Sequence, residues 1–142
     1  MFKGMSALNL DGKGRLSVPA RHREVLAALC GGQLTITRHP DGCLIMFPRT
    51  EWEKFSALFE SFPMELHGWK RFFLGNAVDV ELDSAGRVLI SPELREAAKL
   101  EHEVVLMGTG RHFELWNKAA HKAQEDKTLE NAAPAVVREL LF

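Results

Sequence analysis

Cysteine is scarce: the 142 residues include two. Cys30 and Cys43 show neither C-x-x-C spacing nor the density of a disulfide scaffold, so a reducing compartment is expected. There is no charged-then-apolar leader and no apolar run near the roughly 20 residues that cross a bilayer, so a cytosolic location and no membrane partner are expected. The six histidines, at 22, 39, 67, 102, 112 and 121, show no zinc-finger or H-E-x-x-H spacing, which disfavours a metal site. Neither a G-x-S-x-G elbow, a phosphate-cradling P-loop nor a Rossmann glycine fingerprint is present. No cofactor is expected, and an enzyme is the least favoured class. A global excess of positive charge is also missing: the net charge is −1 and the pI near 6.6. Any surface for an acidic polymer must therefore be local.

What is present is ordinary globular composition, 46% hydrophobic and 26% charged, in a length that suits one core or two small cores sharing a surface. It also contains an internal repeat. Leu10-Asp11-Gly12-Lys13-Gly14-Arg15-Leu16-Ser17-Val18-Pro19-Ala20-Arg21-His22-Arg23 is echoed by Leu82-Asp83-Ser84-Ala85-Gly86-Arg87-Val88-Leu89-Ile90-Ser91-Pro92-Glu93-Leu94-Arg95. The pairs Asp11/Asp83, Gly14/Gly86, Arg15/Arg87 and Arg23/Arg95 share one offset of 72, while the proline moves by one more residue. A repeat of this kind governs the reading of the whole chain.

Each copy reads as strand, tight turn, strand, short helix. Ala7, Asn9 and Asp11 alternate with Leu8 and Leu10 as a half-buried strand does, and Asp-Gly-Lys-Gly is turn chemistry. The chain returns through Arg15-Leu16-Ser17-Val18. Pro19 suits a first helical position, predicting a helix from about Ala20 to Leu29 that stops at Gly31-Gly32. In the second copy Val78, Val80 and Leu82 lead into Ser-Ala-Gly, Arg87 to Ile90 returns, and Pro92 opens a helix toward Lys99.

Between and after the copies, Gln33 to Arg38 alternates like a strand, His39-Pro40-Asp41-Gly42 is a turn, and Cys43 to Phe47 reads as a buried strand. Thr50-Glu51-Trp52-Glu53 has the spacing of a capping box. The helix it predicts carries Trp52, Phe55, Leu58, Phe59 and Phe62 on one face. A second helix is expected from Pro63 to Gly75 with Leu66, Trp69 and Phe73 on one side. Trp52, Phe55 and Phe59 are expected to pack internally, and part of the segment from Phe62 to Phe73 to meet neighbouring subunits. His102 to Met107 and Arg111 to Trp116 read as strands around a Gly-Thr-Gly turn. Asn117 can cap a helix from Lys118 to about Lys127. Asn131-Ala132-Ala133-Pro134 breaks the pattern, leaving Val136, Val137, Leu140, Leu141 and Phe142 as a short apolar tail, expected to be mobile unless docked.

Charge separates the copies. From Met1 to Arg23 the basic residues Lys3, Lys13, Arg15, Arg21 and Arg23 face Asp11 alone, a net +4. From Asp79 to Glu96 the balance is −3. Arg15 and Arg87 follow tight turns, where a rigid fork of donors can meet a phosphate or a guanine edge. The alternative is a surface ion pair with Asp11 or Asp83, worth little in water. Lys13 is a candidate phosphate contact that Ala85 cannot match. Asp11 and Asp83 are also paired carboxylates in principle, but each lies at a turn, where aspartate serves local hydrogen bonding.

The Asp-x-x-Gly-Arg…Pro…Arg pattern resembles the swapped-hairpin DNA-binding domain of the AbrB class. Two copies, opened by Met1-Phe2-Lys3-Gly4 and with Leu74-Gly75-Asn76-Ala77 before the second, resemble the MraZ family of bacterial transcriptional regulators over roughly Met1 to Gln124. The resemblance implies an α+β fold: two swapped-hairpin units, residues 5–52 and 81–124, interlocked into one double-split β-barrel with peripheral helices. A helical connector at 53–80 and a tail at 125–142 complete it. In single-copy relatives two chains build such a barrel. The implied function is a sequence-specific, nucleoid-associated repressor that binds short direct repeats in double-stranded DNA upstream of the division and cell-wall cluster containing its own gene. Ring-like homo-oligomers are implied as well. The implied DNA contacts are Arg15 and Arg87, then Lys13, Arg21, Arg23, Arg95 and Lys3. Glu93 opposite Arg21 departs from a doubly basic pattern. The alternative is a ring-forming protein scaffold without DNA binding.

Overall fold

The computed structural model describes Met1–Phe142. The alternating segment before the first turn is strand β1, Met5–Asn9, with Ser6 and Leu8 half-buried and their neighbours exposed. After the turn, β2 spans Arg15–Ser17 and buries its middle residue, Leu16. Helix α1, Ala20–Cys30, ends where Gly31 takes φ 63° and the Gly31 and Gly32 N–H groups donate to Ala27 and Leu26, closing the last turn as left-handed glycine does.

Pro19 sits one position earlier than its expected place, at the N-cap, with no side chain capping the helix. In the second copy the extra residue before the proline restores the expected geometry. There Ser91 caps α4, Pro92–Ala97, by accepting from the Leu94 N–H at 3.3 Å, and Pro92 takes the first position, where its missing N–H costs nothing. The helix stops short of Lys99, which adopts φ 53°.

The remaining strands are β3 Gln33–Arg38, β4 Leu44–Pro48, β5 Val78–Glu81, β6 Arg87–Leu89, β7 Glu103–Gly108 and β8 Phe113–Asn117. Six form an antiparallel sheet ordered β1-β7-β8-β4-β3-β5, and β2 pairs with β6 as a separate ribbon. Within each half only the hairpins β3–β4 and β7–β8 are local. Every other pairing reaches across: Met5 faces Met107, Leu16 faces Val88, Gln33 faces Glu81 and Met46 faces Phe113. The expected boundary between residues 80 and 81 falls inside β5.

The expected closed barrel is not formed. β1 and β5 remain open edges of the sheet, and the three-residue β2 and β6 bond as strands only to one another, so no ladder joins the edges. The ribbon is anchored by burial instead. Leu16 and Val88 lie in one continuous core with Leu10, Leu26, Leu34, Ile90, Leu94, Val104 and Leu106. The halves thus share one core rather than owning two.

Helix α2, Arg49–Ala57, starts one residue before the predicted cap. Buried Pro48 ends β4 and occupies the N-cap at φ −52°, so Thr50 falls inside the first turn and the capping box does not form. The long aromatic helix is also interrupted. Short 3-10 turns at Leu58–Ser61 and Met64–Leu66 precede α3, His67–Gly75, and Pro63 begins no α-helix itself. The predicted internal packing holds: Phe55 stacks on Phe47 at 4.7 Å and Phe59 on Phe73 at 5.6 Å between ring centres. Asn117 caps α5, Lys118–Leu129, through the Ala120 N–H at 3.0 Å. Past the break at Pro134 the tail is helical, α6, Ala135–Leu141, with Val136, Leu140 and Leu141 exposed.

Candidate nucleic-acid interface

Two matched turns project from the ribbon. In the first, the Gly14 N–H donates to the Asp11 carbonyl and the Asp11 N–H to the Arg15 carbonyl, both at 3.0 Å. In the second, Gly86 and Asp83 make the same bonds at 2.9 Å. Gly14 and Gly86 take φ 82° and 76°, a conformation that favours glycine.

Each turn is organised by its aspartate. Asp11 Oδ1 accepts from the Lys13 and Arg15 N–H groups at 2.9 Å, and Oδ2 takes the Arg15 Nε–H at 2.7 Å. Asp83 repeats this with the Ala85 and Arg87 N–H groups at 2.9 Å and Arg87 Nε at 3.0 Å. The Arg15 N–H is the main cause holding the Asp11 carboxyl at about 2, below the usual carboxylate range. The Arg87 N–H does the same for Asp83, which is also lowered. The ion pairs with aspartate are present, and they leave part of each guanidinium free. Each pairs with its aspartate through Nε, and this orients the fork while the two Nη groups make no hydrogen bond within the protein.

The ribbon register places both forks on one face. Arg15 is opposite Leu89 and Ser17 opposite Arg87, so these four residues share the outward face while Leu16 and Val88 point to the core. Arg15 and Arg87 are diagonal neighbours across a two-strand ribbon, about 7–8 Å apart at the backbone.

Lys13 is exposed at the tip of the first turn, where the second has exposed Ala85. Arg21 lies in the first turn of α1 and donates through Nη2 to Ser6 Oγ at 3.0 Å, while exposed Lys3 precedes β1. Neither joins the two turns. Arg23 and Arg95, implied DNA contacts, are half-buried and lie against the opposite copy. Arg23 Nη1 donates to the Ala85 carbonyl at 3.2 Å, and Arg95 Nε to the Ile90 carbonyl at 3.0 Å while its guanidinium covers Gly14. That crossing was missed by sequence reasoning. The signal for it was the shared offset of glycine and arginine, which moves both partners together. No three histidine, cysteine, aspartate or glutamate side chains converge as metal ligands, and no helix is long and apolar enough to cross a membrane.

This is an α+β chain whose antiparallel strands pair across its two halves and whose two repeated turns each carry an arginine. The chain is 58% identical over its full length, and that of the relative, to a protein of Verminephrobacter eiseniae named "Transcriptional regulator MraZ". Proteins of the same name from Delftia acidovorans and Burkholderia cenocepacia are 57% and 55% identical, again over the whole of both chains. The family model described as "MraZ protein, putative antitoxin-like" matches residues 1–68 and 73–141. The chain belongs to the MraZ family.

Proposed function

We propose that this protein is a sequence-specific DNA-binding transcriptional regulator. The observation that carries the reading is the pair of aspartate-braced arginines on one ribbon face, each with its Nη donors unspent. A fork oriented in advance loses little side-chain freedom on meeting a guanine edge or phosphate. The spacing of about 7–8 Å across the ribbon is close to two base steps of about 3.4 Å. The full-length likeness to proteins named as transcriptional regulators supports the same reading.

In this reading the cross-paired strands are two interlocked swapped hairpins. The protein acts in the cytoplasm, at the nucleoid, as a repressor of the division and cell-wall cluster through short direct repeats upstream of its own gene. It assembles as a homo-oligomeric ring, in which neighbours engaging successive repeats gain effective concentration that one unit lacks. The face carrying Met64, Leu66 and Trp69, which is 48% exposed at Trp69, is the surface assigned to subunit contact. Trp69→Glu is expected to reduce the solution size; an unchanged size would remove this face from the assembly.

The test is fluorescence anisotropy of a labelled upstream duplex against a scrambled one across a salt series, with native chain and Arg15→Ala. Expected are selective binding that falls steeply with salt, as counterion release requires, and its loss in a folded Arg15→Ala protein. Equal weak binding to both duplexes, or none, would transfer the function to a protein-recruiting scaffold. Retained operator affinity in Arg15→Ala would overturn the site.

A further inference from the structure

We propose that Arg23 and Arg95 are positioning residues, each holding the DNA-facing turn of the opposite copy, rather than phosphate contacts. The inference rests on the DNA-binding reading of the two turns. Three observations carry it.

The first is burial. Gly14 and Gly86 are buried although the turn residues before them are exposed. What covers them is guanidinium. A Cβ placed on Gly14 would lie 2.6 Å from Arg95 Cζ and Nε. One placed on Gly86 would collide with Arg23 Cδ and Nη1. A Cβ at either position would displace the arginine that covers it, and the positive φ already favours glycine there.

The second is the use of the donors. Arg23 gives Nη1 to the Ala85 carbonyl inside the opposite turn, and Arg95 gives Nε to the Ile90 carbonyl. Ile90 in turn donates its N–H to the Gly14 carbonyl at 3.0 Å, as Val18 does to the Gly86 carbonyl. Each arginine therefore lies at the junction where one copy's return strand meets the other's turn. A flexible phosphate contact would project into solvent, whereas these side chains are half-buried with a donor committed.

The third is charge. Arg95 stands between acidic neighbours, with Glu93 and Glu96 in its own helix, a poor setting for a phosphate but a neutral one for packing on a glycine. On this account the acidic second copy supports the basic first one: Arg95 holds the turn that carries Lys13 and Arg15. Arg23 returns the service to Arg87.

Arginine and lysine separate the two roles. A phosphate contact tolerates lysine, which keeps the point charge, whereas a planar cover on glycine does not. In the full chain, Arg95→Lys and Arg95→Ala are expected to lower operator affinity alike, by about tenfold, as coupled neighbours do. At low salt, where weakened variants still bind, Arg95→Ala should add little to Arg15→Ala but multiply in full with Arg87→Ala. Without DNA, Arg95→Lys should shift the Gly14 amide resonance and leave Gly86 in place, and Arg23→Lys the reverse. Native-like affinity of Arg95→Lys, or full multiplication with Arg15→Ala, would overturn the proposal in favour of direct contact. Amide shifts confined to the mutated residue's own copy would overturn the clamp itself. If the native chain fails to prefer operator over scrambled DNA, the functional reading falls, and the amide pattern still decides the clamp separately.

Discussion

The turn at Asp11 and the turn at Asp83 are built from the same hydrogen bonds to within a few tenths of an ångström, but the sequence segments that carry them differ in charge. Lys13 tips the first and Ala85 the second, and a net +4 over residues 1–23 contrasts with −3 over residues 79–96. Geometry has been kept where it is shared, because both turns meet at one ribbon and one core. Charge has diverged where it is not shared, on the solvent side. Local backbone chemistry and long-range electrostatics are thus separable properties of a duplicated chain.

Four changes probe how far that separation goes. The largest effect belongs to the shared core: Leu16 is fully buried opposite Val88, and Leu16→Ala should cost about 2–5 kcal/mol in denaturant unfolding. Val88→Ala removes fewer atoms and should cost less; equal and negligible costs would mean that the ribbon is not part of the common core. Next come the forks. If the forks meet DNA as proposed, Arg15→Ala and Arg87→Ala should each cost about 1–3 kcal/mol per site, with the greater loss at Arg15, whose turn also carries Lys13. Comparable losses in anisotropy would show that the Lys13 charge does not set their rank.

Smaller still is the tip residue. Lys13→Ala should reduce the slope of log affinity against log salt by about 0.9, and Ala85→Lys should raise it by a similar amount; a slope unmoved by both would take the tips off the phosphate backbone. The smallest effect is on pH. The folded Asp11 carboxyl titrates at about 2 and Asp83 is also lowered, whereas the unfolded groups titrate near 3.9. A depressed folded value contributes stability that is present above the unfolded value and is lost as pH falls toward the folded one. Carboxyl resonances followed from pH 5 to 2 should therefore move late for both aspartates, and the turns should loosen only in that acid window. Asp11→Asn should remove this contribution from the first turn alone.

Much of the architecture was legible because its signals are local. Alternation marked β1, β3 and β8, glycine pairs stopped α1, and Asn117 announced α5. The twin turns were legible because aspartate, glycine and arginine recur at one offset. Illegible features depended on what lay elsewhere in space. Thr50 and Glu53 have correct capping chemistry, but buried Pro48 had already fixed the helix entry. The closed barrel failed because strand edges find partners by register, which no single segment encodes. For Arg23 and Arg95 the sequence implied only DNA contact, because the residues they pack on, Gly86 and Gly14, are distant in sequence.

The pairing of β2 with β6 inside one chain also bears on abundance. A fold assembled from two separate single-copy chains comes apart on dilution, since its stability is tied to protomer concentration. Here the complementary strand belongs to the same chain, so the pairing of β2 with β6 itself does not depend on how much protein is present. What two single-copy chains must find by collision, this chain holds at the fixed effective concentration of a tether.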